Sequence, residues 1–336
     1  GSQNTFIGYQ SADANTTGDN NTTLGAYALG ANTTGAGNVA VGAYALDANT
    51  TANDNTAMGL HALGANTTGN QNTAVGTYAM YDCTTGVYNT AVGESALADV
   101  TTGERNTAVG RRAAFKNTGS QNTAMGYNSF YENTNGQYCT AIGSRALLNN
   151  TSADHNTAVG TDSGMNITTG TNNTAVGSLS LYANVTGTDN VAVGSAALND
   201  NVASSNVAVG SAALEENTTG TRNVAVGRAA LENNTTGSYN VAVGYVVLNN
   251  NNGSYNVGVG YEALKQCTGG QQNIGMGVNA LTANTTGDYN VAIGPNSLMA
   301  ADGGDNSVAI GRNALINCTT GNHNTAIGGS ACLYGV

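Results

Sequence analysis

The five residues NTAVG occur at 72–76 and return at 89–93, 106–110, 156–160 and 173–177. Close variants occupy the rest of the chain, among them NTAMG at 122–126, NVAVG at 190–194 and NVAIG at 290–294. With the closing glycine as a marker, from Gly8 to Gly328, there are twenty copies, separated by 17 residues in sixteen steps and by 16 in three. A period of this length restricts a chain to folds in which one small unit stacks on the next. Length alone would suggest two or three domains. The unbroken repeat instead predicts one repetitive segment over residues 1–336. Its last copy stops part-way, in GGSACLYGV, so a piece of a longer chain is expected.

Counting the Asn as position 1, the consensus is N-(T/V)-A-(V/I/M)-G-x-x-A-L-x-x-N-T-T-G-x-x. Positions 2–4 alternate and carry β-branched residues, which suits a strand. N-T-T-G and the two residues after it are turn formers. A second short strand is expected near positions 7–10. Glycine and Asn-Thr-Thr recur too often for a helix. The predicted fold class is all-β, a parallel β-solenoid (β-roll) of about twenty 17-residue rungs.

Position 4 is expected to face inward, so that Val75, Val109 and Val226 fill one core. Position 3 would then face outward, with Ala40, Ala57, Ala74, Ala91 and Ala108 forming a flat row that packs on identical chains. Leucine recurs at position 9. Leu29, Leu46 and Leu63 must either turn a corner into the core or meet another chain, since a long apolar ridge does not stay exposed.

Position 12 is Asn in thirteen copies, and its exceptions are Cys83, Val100, Ile167, Cys267, Ala301, Cys318 and Gly335. These are mostly small or apolar, so position 12 is expected to point inward as a ladder of stacked amides. Position 1 behaves in the same way, with Cys139 and Ser307 as its exceptions. Asn32, Asn49, Asn66, Asn217, Asn234 and Asn284 also head Asn-Thr-Thr, a formal N-glycosylation acceptor. The ladder reading buries them; the alternative reading makes them glycan sites on a coated extracellular filament.

Charged residues make up 9% of the chain and the net charge is −11. A nucleic-acid partner would need a basic stripe, and no apolar run reaches membrane-spanning length. The five cysteines show no CxxC spacing, which argues against zinc, and all five are expected as buried thiols. His61, His155 and His323 fall in distant rungs. Acids such as Asp19, Asp154, Asp189 and Asp305 are scattered, and Arg111, Arg112 and Arg145 stand as isolated charges. No catalytic, cofactor or metal site is predicted, because catalysis needs unlike groups converging on one point. Position 7 reads Tyr27, Tyr44, His61 and Tyr78 in consecutive rungs. This outward column is either a carbohydrate-holding strip or a set of rings stacked on one another. Tyr239, Tyr255, Tyr245 and Tyr261 form a second group.

NSVAIGRNA at 306–314 and NVAIGPNS at 290–297 resemble the head repeats of YadA-like trimeric autotransporter adhesins, and are similar to repeats of some bacteriophage tail fibres. The small residue three places after the glycine is kept as Ala28, Ala45, Ala62, Ser129, Ala146, Ser297 and Ala314. The resemblance implies a left-handed parallel β-roll, a homotrimer, and display outside the cell for attachment. The rung here is longer than that family's, by its L-x-x-N-T-T portion.

These readings lead to an extracellular structural or adhesive fibre segment at a cell or virion surface. It would self-assemble as a homotrimer or filament, with carbohydrate or a host-surface receptor as a further partner. An ice-binding solenoid is the other alternative; it requires outward threonines in regular Thr-x-Thr pairs on a strand, whereas the regular Thr-Thr here follows the position-12 Asn and is expected in a turn.

Overall fold

A computed structural model describes residues 1–333; Gly335, one of the position-12 exceptions, lies outside them. The chain is an all-β parallel β-solenoid, and the described residues contain no helix. It divides into two compact units, Gly1–Thr169 and one beginning at Gly170. The first holds ten three-residue strands from Thr5–Ile7 to Thr157–Val159, the second ten from Thr174–Val176 to Thr325–Ile327. Within each unit, successive strands pair in parallel with like repeat positions opposite each other. Thr73, Ala74 and Val75 lie against Thr90, Ala91 and Val92; Val224, Ala225 and Val226 lie against Val241, Ala242 and Val243.

The strand faces are opposite to those expected. Ala40, Ala57, Ala74, Ala91 and Ala108 are fully buried, Val75 and Val109 are half-buried, and Val226 is 36% exposed. The reason is the thinness of the coil. A β-carbon built on Gly275, at position 3, would sit 3.0 Å from Cγ of Leu264 in the preceding rung. Leucine from the far wall therefore crowds position 3, which from Ala40 to Ala326 holds nothing larger than alanine. The flat alanine row is core and is closed to other chains.

No second strand forms at positions 7–10. Positions 7 and 9 both adopt left-handed backbone, as at Tyr27 (φ 58) and Leu29 (φ 56), and this is the corner that turns leucine inward. Leu29, Leu46 and Leu63 are fully buried, each burial contributing about 1.5–3 kcal/mol. Position 9 carries no Val, Ile or Thr in any copy, because a branched β-carbon fits a positive φ poorly. Position 17 is left-handed as well, and Gly76 at position 5 (φ 136) has no space for a side chain: a β-carbon there would lie 2.5 Å from the Gly93 carbonyl oxygen.

Side-chain ladders join the rungs where strands do not. At position 12 the Asn49 amide nitrogen donates to Asn32 Oδ1 at 2.9 Å and to the Ala52 carbonyl at 3.2 Å. At position 1, Asn38 Oδ1 accepts from the Asn55 backbone N–H at 3.0 Å, and Asn38 Nδ2 donates to the Ala52 carbonyl at 2.8 Å. Position 13 adds Thr33 Oγ1, which donates to the Thr50 carbonyl at 3.0 Å. Each 16-residue rung loses one residue from the N-T-T-G turn yet keeps the turn bond. Asn201 and Asn251 donate to the carbonyls of Ala203 and Gly253, both at 2.8 Å, as Asn32 donates to Gly35 at 3.0 Å in a full rung.

Candidate functional site

Burying position 3 leaves positions 2 and 4 to form the outward face of each strand. In the first unit position 2 is threonine in every rung except Val39, opposite Val, Ile, Leu or Met at position 4. In the second unit position 2 turns apolar from Val191 to Val308, so both columns there are Val, Ile or Met. Val209, Val243, Ile293 and Ile310 are exposed, and no charged residue interrupts either column. Position 2 of these rungs is half-buried and position 4 is mostly exposed, and an uncharged apolar strip that reaches the surface in this way marks an interaction surface.

Positions 17 and 6 border that face on its two sides. Three consecutive strands of the second unit are bordered by like residues: Arg222 and Arg228 about Val224–Val226, Tyr239 and Tyr245 about Val241–Val243, Tyr255 and Tyr261 about Val257–Val259. On one border Arg222 donates to the Tyr239 hydroxyl and lies 5.3 Å from its ring centre, and Tyr239 stacks on Tyr255 at 4.9 Å. On the other, Arg228 donates to the Tyr245 hydroxyl at 2.9 Å and Tyr245 stacks on Tyr261 at 5.3 Å. All four tyrosines are exposed. In the first unit Arg105 and Arg111 border Thr107–Val109 in the same way.

The arginines expected to stand alone are engaged. Arg111 Nε donates to Glu94 at 3.0 Å and lies 5.8 Å from the Tyr127 ring. Arg145 pairs with Asp162 at 2.6 Å, and Arg112 lies 6.0 Å from the Phe115 ring. Three of the four scattered acids share a task, while Asp189, at position 17, accepts from Asn172 Nδ2 at 3.2 Å. At position 16, Asp154 Oδ1 accepts the Gln137 backbone N–H at 2.7 Å and Asp305 Oδ1 that of Asp288 at 2.8 Å, while Asp19 receives Ser2. The signal for this in the sequence is that Asp, Asn and Ser alternate at one repeat position, and all three offer a short acceptor oxygen.

Tyr27, Tyr44, His61 and Tyr78 come together as one column. Ring centres are 4.9, 4.9 and 5.3 Å apart, with planes within 8–10° of parallel. Tyr9 meets Tyr27 edge-on at 5.5 Å, and Tyr81 meets Tyr78 edge-on at 5.4 Å. The ring faces are thus spent on one another and only their rims reach solvent, whereas a sugar platform requires open faces. Burial pushes the nearby Asp47 carboxyl up, partly offset by His61. His155 stacks on Tyr138 at 5.0 Å.

Asn32, Asn49, Asn66, Asn217, Asn234 and Asn284 are fully buried. Each amide nitrogen donates within the coil, for example Asn217 Nδ2 to the Gly220 carbonyl at 2.9 Å and Asn284 Nδ2 to that of Gly287 at 3.0 Å. The folded coil has no room for a glycan on any of them. Cys83, Cys139, Cys267 and Cys318 are buried free thiols, but Cys332 is exposed, since no described rung covers it. Among the described residues no three His, Cys, Asp or Glu side chains gather as metal ligands, and no helix is long and apolar enough to cross a membrane. No protein-family model matches the sequence, and comparison with curated proteins yields no match.

Proposed function

We propose that this chain is a non-catalytic, self-associating segment of an extracellular fibre, displayed on a cell or virion surface and used for attachment. The observation that carries the reading is the outward Val/Ile/Met face of the second unit, partly exposed, uncharged and bordered over three of its strands by tyrosine and arginine. Protein interfaces are depleted of charge at their core and enriched in aromatic residues, Met and Arg relative to the rest of the surface. The occupant of this face is a second copy of the chain. From Val191 to Val308 the second unit's rungs present the same pair of apolar columns at the same spacing, so an identical unit offers a matching surface over those rungs. The resemblance to YadA-like heads favours three copies about one axis, with variable outward positions left for a carbohydrate or host-surface receptor. The solution mass of the full chain tests this. A trimer is expected, and Val226→Lys with Val243→Lys should reduce it to monomer with an unchanged circular dichroism spectrum. A parent chain that is itself monomeric would overturn the reading.

One observation favours a second reading for the first unit. Thr73, Thr90 and Thr107 form an outward threonine column on adjacent strands beside Val75, Val92 and Val109, one of the two columns that an ice-ordering solenoid with Thr-x-Thr pairs would present. Inhibition of ice recrystallisation by the full chain, abolished by Thr90→Tyr, is its test.

A further inference from the structure

The outward columns have a property that self-association alone does not resolve. Val224, Val241 and Val257 at position 2, and Val226, Val243 and Val259 at position 4, are identical from rung to rung. Two copies lying side by side could slide by one rung, about 4.8 Å, and meet the same chemistry again. Such a surface supplies affinity without register, as unmarked strands do in sheets. The bordering positions do change from rung to rung. They read Ser205 and Ser211, then Arg222 and Arg228, Tyr239 and Tyr245, Tyr255 and Tyr261, then Gln272 and Val278. Through the first four of these rungs the residue before the strand matches the residue after it.

We infer that this Arg-Tyr-Tyr bracket is the register mark of the assembly. The inference rests on the self-association proposed above and names the residues that set its axial alignment. Where parallel copies surround an axis, the leading border of one chain lies beside the trailing border of its neighbour. With no slip, Tyr239 and Tyr255 of one copy meet Tyr245 and Tyr261 of the next, ring against ring, and Arg222 faces Arg228, two like charges each already held by a tyrosine of its own chain. A slip of one rung sets Tyr239 against Tyr261 and leaves Tyr255 facing Val278. Aromatic pairs are favourable beyond the area they bury, so the unslipped alignment keeps two such pairs where the slipped one keeps one. Within each chain the arginines are already tied to Tyr239 and Tyr245. That tie holds the rings in fixed stacks with 4.9 and 5.3 Å between centres.

Photo-oxidative dityrosine cross-linking of the full chain, with the linked peptides identified by mass spectrometry, tests the alignment. Within one chain Tyr239 and Tyr245 lie on opposite borders of the strand Val241–Val243, separated by at most about 20 Å, so a link between them reports two copies. Tyr239–Tyr245 and Tyr255–Tyr261 links are expected. Tyr239–Tyr261 links of equal yield would overturn the register mark while leaving self-association standing; a monomeric parent chain would overturn both. As a second measurement, a spin label at Ser211→Cys in a Cys332→Ser background should give one sharp distance between copies. With all four tyrosines changed to serine the distance should broaden and shift upward, because copies slipped by one or more rungs add axial offsets of about 4.8 Å each. A single distance that persists, or an assembly that dissociates, would overturn the inference.

Discussion

Val247 occupies the space that Gly258 leaves open. A β-carbon on Gly258 would stand 2.5 Å from Cγ1 of Val247, so the large residue at position 8 and the missing methyl at position 3 of the next rung compensate one another. Gly258→Ala alone should overpack the coil and cost about 1–3 kcal/mol. In a Val247→Ala background the same change should cost close to nothing, because it restores the consensus. Denaturant midpoints of the four chains give the coupling, and additive costs would contradict the contact.

The position-12 ladder breaks at Cys83. Asn66 Oδ1 is buried without a hydrogen-bond partner, because the thiol above it donates instead to the Gly86 carbonyl at 3.8 Å. Cys83→Asn alone should change little, since its own Oδ1 would then face Val100 and the unpaired acceptor only moves up one rung. Cys83→Asn with Val100→Asn should join the ladder to Asn117 and stabilise the chain by about 1–3 kcal/mol. Thermal unfolding of the two singles and the double checks this non-additive pattern.

Burial pushes the Cys267 thiol from 9.0 up to about 12 and Cys83 up to about 11. The unfolded chain therefore releases these protons at a lower pH than the folded chain does. Their contribution to stability is complete below pH 9.0 and is lost as the pH rises toward about 12. Cys267→Ala should flatten the alkaline fall. The difference in urea midpoint between parent and variant across this window isolates the thiol from the tyrosines, which also titrate there.

The inverted strand faces predict opposite outcomes for neighbouring residues. Ala74→Asp places an unpaired carboxylate inside the coil and should cost about 3–5 kcal/mol. Val75→Asp lies on the outward face and should stay within about 0.5 kcal/mol, while weakening association. A larger cost for Val75→Asp than for Ala74→Asp would restore the assignment of faces expected from the sequence.

The rung was legible in the sequence because its period and its turn residues are local. The inward Asn ladder was legible through its exceptions: Val100 and Ile167 do not replace a solvated amide. The strand faces were misread, although the means of correcting them was present. If Asn72 at position 1 points inward, alternation puts Ala74 inward and Val75 outward. Larger residues were assigned to the core on hydrophobicity alone, which overlooks how little volume remains once leucine enters from the opposite wall. That entry depends on left-handed backbone at Tyr27 and Leu29, which ordinary strand periodicity does not foresee. The border residues were read singly, as isolated charges or loose aromatic groups. Only the stacking of rungs places Arg222 beside Tyr239 and aligns both with the valine columns.

The shortened turns at Asn201–Ala203 and Asn251–Gly253 bear on heredity. A rung can lose a residue there and still hand the same ladder atoms to its successor, so the join between rungs is indifferent to small errors in copying. Unequal recombination between such similar stretches of coding sequence would add or remove whole rungs without a new core having to be found. Length then becomes a trait that a lineage can adjust in single steps, and the bracket at Arg222–Tyr261 is the kind of landmark that would be carried up or down the chain as rungs come and go.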